Sequence, residues 1–292
     1  MTAPDSSTLI IPAQFRGPPR SGNGGYVCGV LAGRLSRSGH GSDAGNAFAI
    51  PQPPITVSLR SPPPLDEPMA VVSAGAGARL QMVLGETLVA EAEPGAPDVL
   101  DAPEMAIPVA PSFAAAEAAV GASPAFWPRV NSLVPGGLGV HPICACCGAD
   151  VAADLGLRVF AAPVPGFTGV TAAWTPDPAF DDGTGLLPPE LIWTALDCPG
   201  QFAWLEQAED GAVINNALLG RFTVRIDAPV AIGEPCRVLG WRIEPAEASG
   251  TAAAAPSRKF EAGTALIGAD GTLRAIGRAL WIRFDPARLA DV

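Results

Sequence analysis

The sequence predicts an α+β fold built from two similar halves, on three observations. Thirteen residues recur: Thr56 to Pro68 and Thr223 to Pro235 share T-V-x-[LI]-x-x-P-x-x-[LI]-x-E-P without a gap. A distant self-match of this kind marks a duplicated unit. Near each copy one apolar helical segment precedes a run of short alternating segments separated by tight turns. That is the order of an antiparallel sheet packed on a helix, not of βαβ repeats. The chain's 33 glycines and 32 prolines in 292 residues favour many turns over long helices.

Taken in order, residues 8–13 form a short apolar strand and 23–35 a helix that starts at glycines. Residues 55–60 alternate apolar and polar, as a half-buried strand does. Strands at 69–73, 79–83 and 87–93 follow, the last two joined by the turn Gly85-Glu86. The second half repeats the pattern. Strands are expected at 157–161 and 170–174, an apolar helix at 190–205, then strands at 222–226, 236–243, 262–267 and 272–284. Asp270-Gly271 closes the last hairpin. The units are expected at 1–93 and 141–292. The stretch 94–140, rich in Pro and Ala with a short helix at 112–120, reads as a connection crossing the surface. Residues 247–257 read as a loop.

The net charge of −11 opposes polyanions, so nucleic acid is not an expected partner. No apolar run approaches the roughly 20 residues of a membrane helix, so no membrane partner is expected. Met-Thr-Ala-Pro-Asp shows no signal-peptide pattern. Six cysteines in a chain this long do not make a disulfide scaffold. A cytoplasmic, reduced protein is the expectation.

Several segments together carry a family likeness: Asn23-Gly24-Gly25-Tyr26 at the first helix start, Leu196-Asp197 in the second helix, and the ending Arg258-Lys259…Ala262-Gly263-x-Ala265-Leu266…Asp270-Gly271 with Trp281 beyond. With the order of elements, they make the chain resemble the hotdog-fold thioesterase superfamily, in particular double-hotdog, acyl-CoA thioesterase II-like proteins. The resemblance covers most of the chain outside 94–140. It implies two antiparallel sheets, each wrapped around a central helix and joined into one continuous sheet. It also implies an acyl-CoA or related acyl thioester substrate, a homodimer of such chains, and no cofactor.

The resemblance also implies a site. Hotdog thioesterases place glycines at the N-terminus of the central helix and an acid about two turns later, often with the two halves of one site drawn from different units. Free N–H groups and the positive helix end polarise the thioester carbonyl, and the carboxylate attacks it or activates water. The first helix has Gly24 and Gly25 but Ala32 at the acid position. The second has Asp197 but Pro188-Pro189 at its start, and proline has no N–H. Gly24/Gly25 facing Asp197 would make one complete site, and Pro188/Pro189 facing Ala32 a dead one. Asn23 stands where family members often have histidine. Leu219 and Ala279 stand where acyl-CoA thioesterase II-like enzymes have Thr and Gln. Asn23, Tyr26, Thr194, Cys198, Arg258 and Lys259 are the candidate substrate contacts, the last two as a clamp for a CoA phosphate. Thr194, Asn215 and Asn216 are the candidate polar supports for Asp197.

Competing readings of the same residues stay open. Gly-Gly before a helix is commonly only a turn, and Asp197-Cys198-Pro199-Gly200 could be a helix-ending turn. A chain lacking the family's Thr and Gln could hold an acyl chain without turning it over, as a non-catalytic acyl-CoA or apolar-ligand module. Hotdog hydratases need an Asp and His pair, and neither His40 nor His141 is expected beside a helix. Cys144-x-x-Cys147-Gly148 lacks the second such pair of a four-ligand zinc site, so no metal is expected, although His141 or Cys198 could be recruited. Trp193, Phe202 and Trp204 read as core.

Overall fold

The computed structural model describes residues 7–38, 50–75, 78–128, 138–209, 211, 213–244 and 257–283. Helix α1 (Gly24–Ser38) follows strand β1 (Ser7–Leu9), and four strands come after it: β2 (Gln52–Leu59), β3 (Met69–Ala74), β4 (Arg79–Leu84) and β5 (Thr87–Pro94). The connecting stretch carries helix α2 (Phe113–Ala119). Beyond it lie β6 (Ala162–Pro163), β7 (Val170–Trp174), α3 (Pro189–Phe202), the small hairpin β8 (Glu206–Gln207) and β9 (Val213–Ile214), and four long strands. These are β10 (Ala217–Ile226), β11 (Cys236–Ile243), β12 (Lys259–Ile267) and β13 (Leu273–Arg283). Apart from the β8–β9 hairpin, all strands lie in an antiparallel sheet ordered β1-β3-β4-β5-β2-β10-β13-β12-β11-β7-β6. The order β1-β3-β4-β5-β2 on one side is matched, strand for strand, by β7-β11-β12-β13-β10 on the other.

The two sides meet where β2 pairs with β10. Thr223 lies opposite Thr56, Phe222 opposite Val57 and Val224 opposite Ile55. These are the repeated residues, and the register is symmetric about the threonine pair. Exchanging each residue for its counterpart in the other repeat returns the same pairing. The two hydroxyls hydrogen-bond across the pair at 2.8 Å.

Asn23 starts α1. Its Oδ1 accepts the Tyr26 N–H at 2.9 Å, an N-cap bond that offsets the poor helix propensity of Gly24 and Gly25. Val27, Cys28, Leu31, Ala32 and Leu35 are buried at helical spacing against the sheet. Helix α3 is buried from Leu191 to Phe202, apolar nearly all round, as a helix enclosed by sheet and neighbouring helix must be. Glycine sets how closely the two helices approach. A Cβ on Gly25 would lie 2.6 Å from the Trp193 carbonyl oxygen, and one on Gly29 would lie 2.7 Å from the Glu190 Cα.

Some elements differ from the expectations. Residues 157–161 are not a strand: Arg158 takes a positive φ of 57° and breaks the extended run. The Leu157 and Val159 N–H groups bond instead to the Ala145 and Cys146 carbonyls. Strand β1 ends at Leu9, and a 3-10 turn at Ala13–Phe15 follows Pro12. The connection after β5 is more than a surface crossing. Leu100 and Met105 are buried with Leu239, Trp241, Ile243, Ala265, Ile267 and Ile276 in a second, smaller core on the sheet face away from α3. The expected loop at 247–257 lies outside the described residues except for Ser257. Trp193, Phe202 and Trp204 are core. No helix among the described residues is long and apolar enough to cross a membrane.

In the second repeat, Glu234 ties the turn after β10 to the β12–β13 hairpin. It accepts from Arg274 at 2.7 Å and from the Ala269 and Ala231 N–H groups at 3.1 Å each. Burial works against its charge, but the Arg274 guanidinium and the two N–H groups prevail and hold its pKa below the usual glutamate range. Its folded-state pKa is thus lower than that of the unfolded chain, about 4.3. Its contribution to stability is complete above that value and is lost as pH falls through the lower folded value. Glu234→Gln is expected to cost about 2 kcal/mol near neutral pH, read by urea denaturation, and to flatten the acid limb of the stability profile. An unchanged acid limb would assign acid lability elsewhere. For the central pair, Thr56→Val or Thr223→Val alone should each cost about 1 kcal/mol, and the double variant less than their sum, because each single change strands a hydroxyl. Strict additivity in the double-mutant cycle would show that the hydroxyls are not coupled.

Candidate active site

A cleft of about 230 Å³ opens at the N-terminus of α1. The loop ahead of the helix is pinned by backbone bonds, Gly22 N–H to the Pro63 carbonyl at 2.9 Å and Asn23 N–H to the Phe15 carbonyl at 2.8 Å. Asn23 and Gly24 form one wall. Leu59, Leu219, Trp281 and Ile282 supply apolar surface, and Asp197, Cys198 and Gln201 of α3 line the cleft together with His141 and Cys144. Arg60 and Arg258 also line it.

Asp197 is the central polar group. It is buried, and its Oδ2 accepts the Gly25 N–H across the helix pair at 3.0 Å. Helix α3 continues past it to Phe202, which rules out the helix-ending turn. Its Oδ1 is buried with no hydrogen-bond partner among the described residues. Burial pushes the carboxyl up to about 7. The Gly25 N–H pulls the other way, Cys144 adds to the rise, and the Asn23 amide favours the anion without meeting the geometry of a hydrogen bond to Oδ1. The group therefore sits near the balance point between acid and carboxylate at neutral pH, where proton transfer in either direction is easiest.

Gly24 and Gly25 separate into two roles by geometry. The Gly25 N–H is taken by Asp197, and its missing side chain is what lets α3 approach. Gly24 faces the cleft, its N–H is one that a first-turn residue cannot bond within the helix, and it donates to nothing among the described residues.

The other expected residues fall in two groups. Asn23, Cys198 and Arg258 line the cleft, and Arg258 is exposed. Tyr26 stacks on Phe15, with ring centroids 3.9 Å apart, and is not a wall of the cleft. Thr194 is fully buried, and its hydroxyl donates back to the Glu190 carbonyl at 2.7 Å, so it does not support Asp197. Lys259 opens β12 as an exposed residue outside the cleft. Asn215 bonds the Trp204 carbonyl and Arg283, away from Asp197. Ala279 is buried in the sheet opposite Phe222. His40 lies outside the described residues.

The sequence reading passed over Gln201, one helical turn beyond Asp197. Its Nε2 donates to the Asn216 Oδ1 and the Ala217 carbonyl, both at 2.8 Å. Those two acceptors fix the amide's orientation, so its Oε1 faces the His141 Nε2 at 3.0 Å and His141 must donate there. Burial lowers the His141 pKa, which keeps the ring neutral. The available signal was spacing: Asp197 and Gln201 are i and i+4 on one helix face.

No protein-family model matches the chain, and no curated protein sequence matches it. Solved structures do. The tesB protein of Mycobacterium avium subsp. paratuberculosis aligns over 97% of this chain and 94% of its own, with TM-score 0.51 and 13% identity. A proposed thioesterase from Novosphingobium aromaticivorans aligns over 98% of both chains, with TM-score 0.51 and 12% identity. A proposed thioesterase II from Thermobifida fusca aligns over 98% of this chain and 96% of its own, with TM-score 0.50 and 15% identity. The chain therefore has the α+β hotdog fold of thioesterase II-like proteins.

Gly25→Ala is expected to lower the melting temperature, at a cost of about 1–3 kcal/mol, because the new methyl meets backbone that cannot yield. Gly24→Ala should cost less, since its nearest contacts, at 2.9 Å, are atoms of the Leu219 side chain. The reverse ranking in thermal denaturation would show that the helices do not pack through Gly25.

Proposed function

We propose that this chain is a double hotdog, with units at 1–93 and 141–292 joined by 94–140, and that it hydrolyses an acyl-CoA or related acyl thioester at a single site. The observation that carries the reading is the unpartnered, buried Oδ1 of Asp197 in a largely apolar cleft, beside the N-terminus of a helix from the other half. The thioester carbonyl oxygen lies toward the Gly24 N–H and the positive end of α1. The Gly25 N–H orients the carboxylate and leaves Oδ1 free to take a proton from water or to attack the carbonyl carbon. The thiolate then leaves and takes up a proton. On the nucleophilic route, water next cleaves the acyl–aspartyl anhydride and restores the carboxylate. Leu59, Leu219, Trp281 and Ile282 receive the acyl group, and Arg258, with Lys259 nearby, meets the phosphates of a CoA carrier. The mirrored position offers Ala32 in place of the acid and Pro189, which has no N–H, in place of Gly24, so one chain has one site. We place the protein in the cytoplasm as a homodimer of such chains.

One observation favours a second reading, a non-catalytic acyl-binding module: one of the two glycine N–H groups available for an oxyanion is already used by Asp197. A panel of acyl-CoAs in a thiol-release assay separates the two. Hydrolysis should fall by about a hundredfold or more in Asp197→Asn. Acyl-CoA affinity should change little, because the asparagine Oδ1 can still accept from Gly25. Full activity in this variant would reject Asp197 as base or nucleophile. Tight acyl-CoA binding without thiol release in the wild type would establish the binding module.

A further inference from the structure

The hydrolytic reading makes no use of the thiols beside Asp197. Cys144, Cys147 and Cys198 are buried, and their three Sγ atoms lie within 4.8 Å of one another. They come from two places far apart in the chain, the tight turn at 144–148 and helix α3. We propose that these three thiolates form a zinc site whose fourth position opens onto the cleft. This proposal does not depend on the thioester reading.

Four features support it. Thiolates favour zinc, and zinc takes them tetrahedrally with Zn–S near 2.3 Å, which puts neighbouring sulfurs about 3.8 Å apart. The Cys144 and Cys198 sulfurs are 3.7 Å apart, so they already span that edge without rearrangement. The turn has the shape of a metal-binding knuckle: the Gly148 N–H donates to the Cys144 carbonyl at 2.8 Å. A Cβ on Gly148 would lie 2.6 Å from that same oxygen and from the Pro142 oxygen, so only glycine closes the loop. Asn23 Nδ2 donates to the Cys144 Sγ at 3.6 Å, the outer-sphere contact that an anionic sulfur on a metal takes. A disulfide would use two of the sulfurs and strand the third, whereas a metal ion uses all three. Cys144 and Cys198 line the cleft, so water or a small ligand from the cleft can complete the tetrahedron. This reverses the sequence expectation of no metal, because the missing ligand comes not from a second Cys-x-x-Cys but from Cys198 on a helix.

The test reads metal directly, not activity. Protein purified under reducing conditions with zinc supplied should carry one zinc per chain by elemental analysis. After chelation, wild type reconstituted with Co²⁺ should show thiolate-to-cobalt charge transfer in the near ultraviolet and the intense visible bands of a tetrahedral site. Cys144→Ser, Cys147→Ser and Cys198→Ser should each abolish or weaken those bands, whereas Cys28→Ser and Cys236→Ser should leave them intact. Circular dichroism verifies the fold of each variant, and the cobalt spectrum of unmutated protein stands even where a variant fails to fold. The proposal is overturned if wild type takes up no zinc in competition with a micromolar chromophoric chelator. It is equally overturned if the cobalt spectrum persists in all three folded variants, or if anaerobically purified protein carries a Cys144–Cys198 disulfide by mass spectrometry.

Discussion

The candidate site depends on the pairing of β2 with β10. That ladder joins the halves of the sheet edge to edge and brings α1 and α3, packed on one face of it, into contact. The contact is unusually close because Gly25 and Gly29 present no side chains to α3. Without the ladder, Asp197 would lose the Gly25 N–H that its carboxylate accepts. With it, the carboxylate accepts an N–H from the opposite half, and the cleft forms where the two halves meet. The hydrogen-bonded threonines at the centre of the ladder set its register. A slip of one residue would turn every β2 side chain to the other face.

The departure from symmetry matters as much as the symmetry. The two helix starts are not equivalent: Pro189, the counterpart of Gly24, has no N–H, and Ala32 stands at the counterpart of Asp197. The candidate site brings the N-terminal end of one helix against the acid of the other, through the Gly25 N–H and Asp197. Around Asp197 burial and the Gly25 bond act in opposition, and burial prevails. The residue is thus held near the point where it can release or accept a proton.

Much of this was legible in the sequence. The repeat located the symmetric ladder, because the repeated threonines are the ones that pair. The Asn-Gly-Gly start and Asp197 were found together through the complementary losses of Ala32 and Pro188-Pro189. Other features depend on contacts that sequence spacing does not display. Nothing local marks Gly25 as a packing residue, since the atoms that forbid its Cβ are 168 and more residues away in α3. Thr194 looked like a support for Asp197, but its hydroxyl bonds the carbonyl one turn back, as threonines in helices often do. Gln201 carries no local mark, because the resemblance expects the glutamine in the last strand, at Ala279. The strand at 157–161 was lost to one left-handed residue, Arg158, whose side chain gives no warning of its backbone.

The connection after β5 carries one more consequence. It lays Leu100 and Met105 over the outer face of β11, β12 and β13, and Arg278 to Glu104, Arg237 to the Pro111 carbonyl and Arg225 to Asp101 fasten it there. The chain thus supplies its own cover for half of a sheet whose other half shows Gln81, Glu91 and the Arg60–Glu91 ion pair on the same side. The roofed half is apolar, and the other half is polar at these positions. A second molecule laid face to face on β11, β12 and β13 would meet this connection before the apolar side chains beneath it.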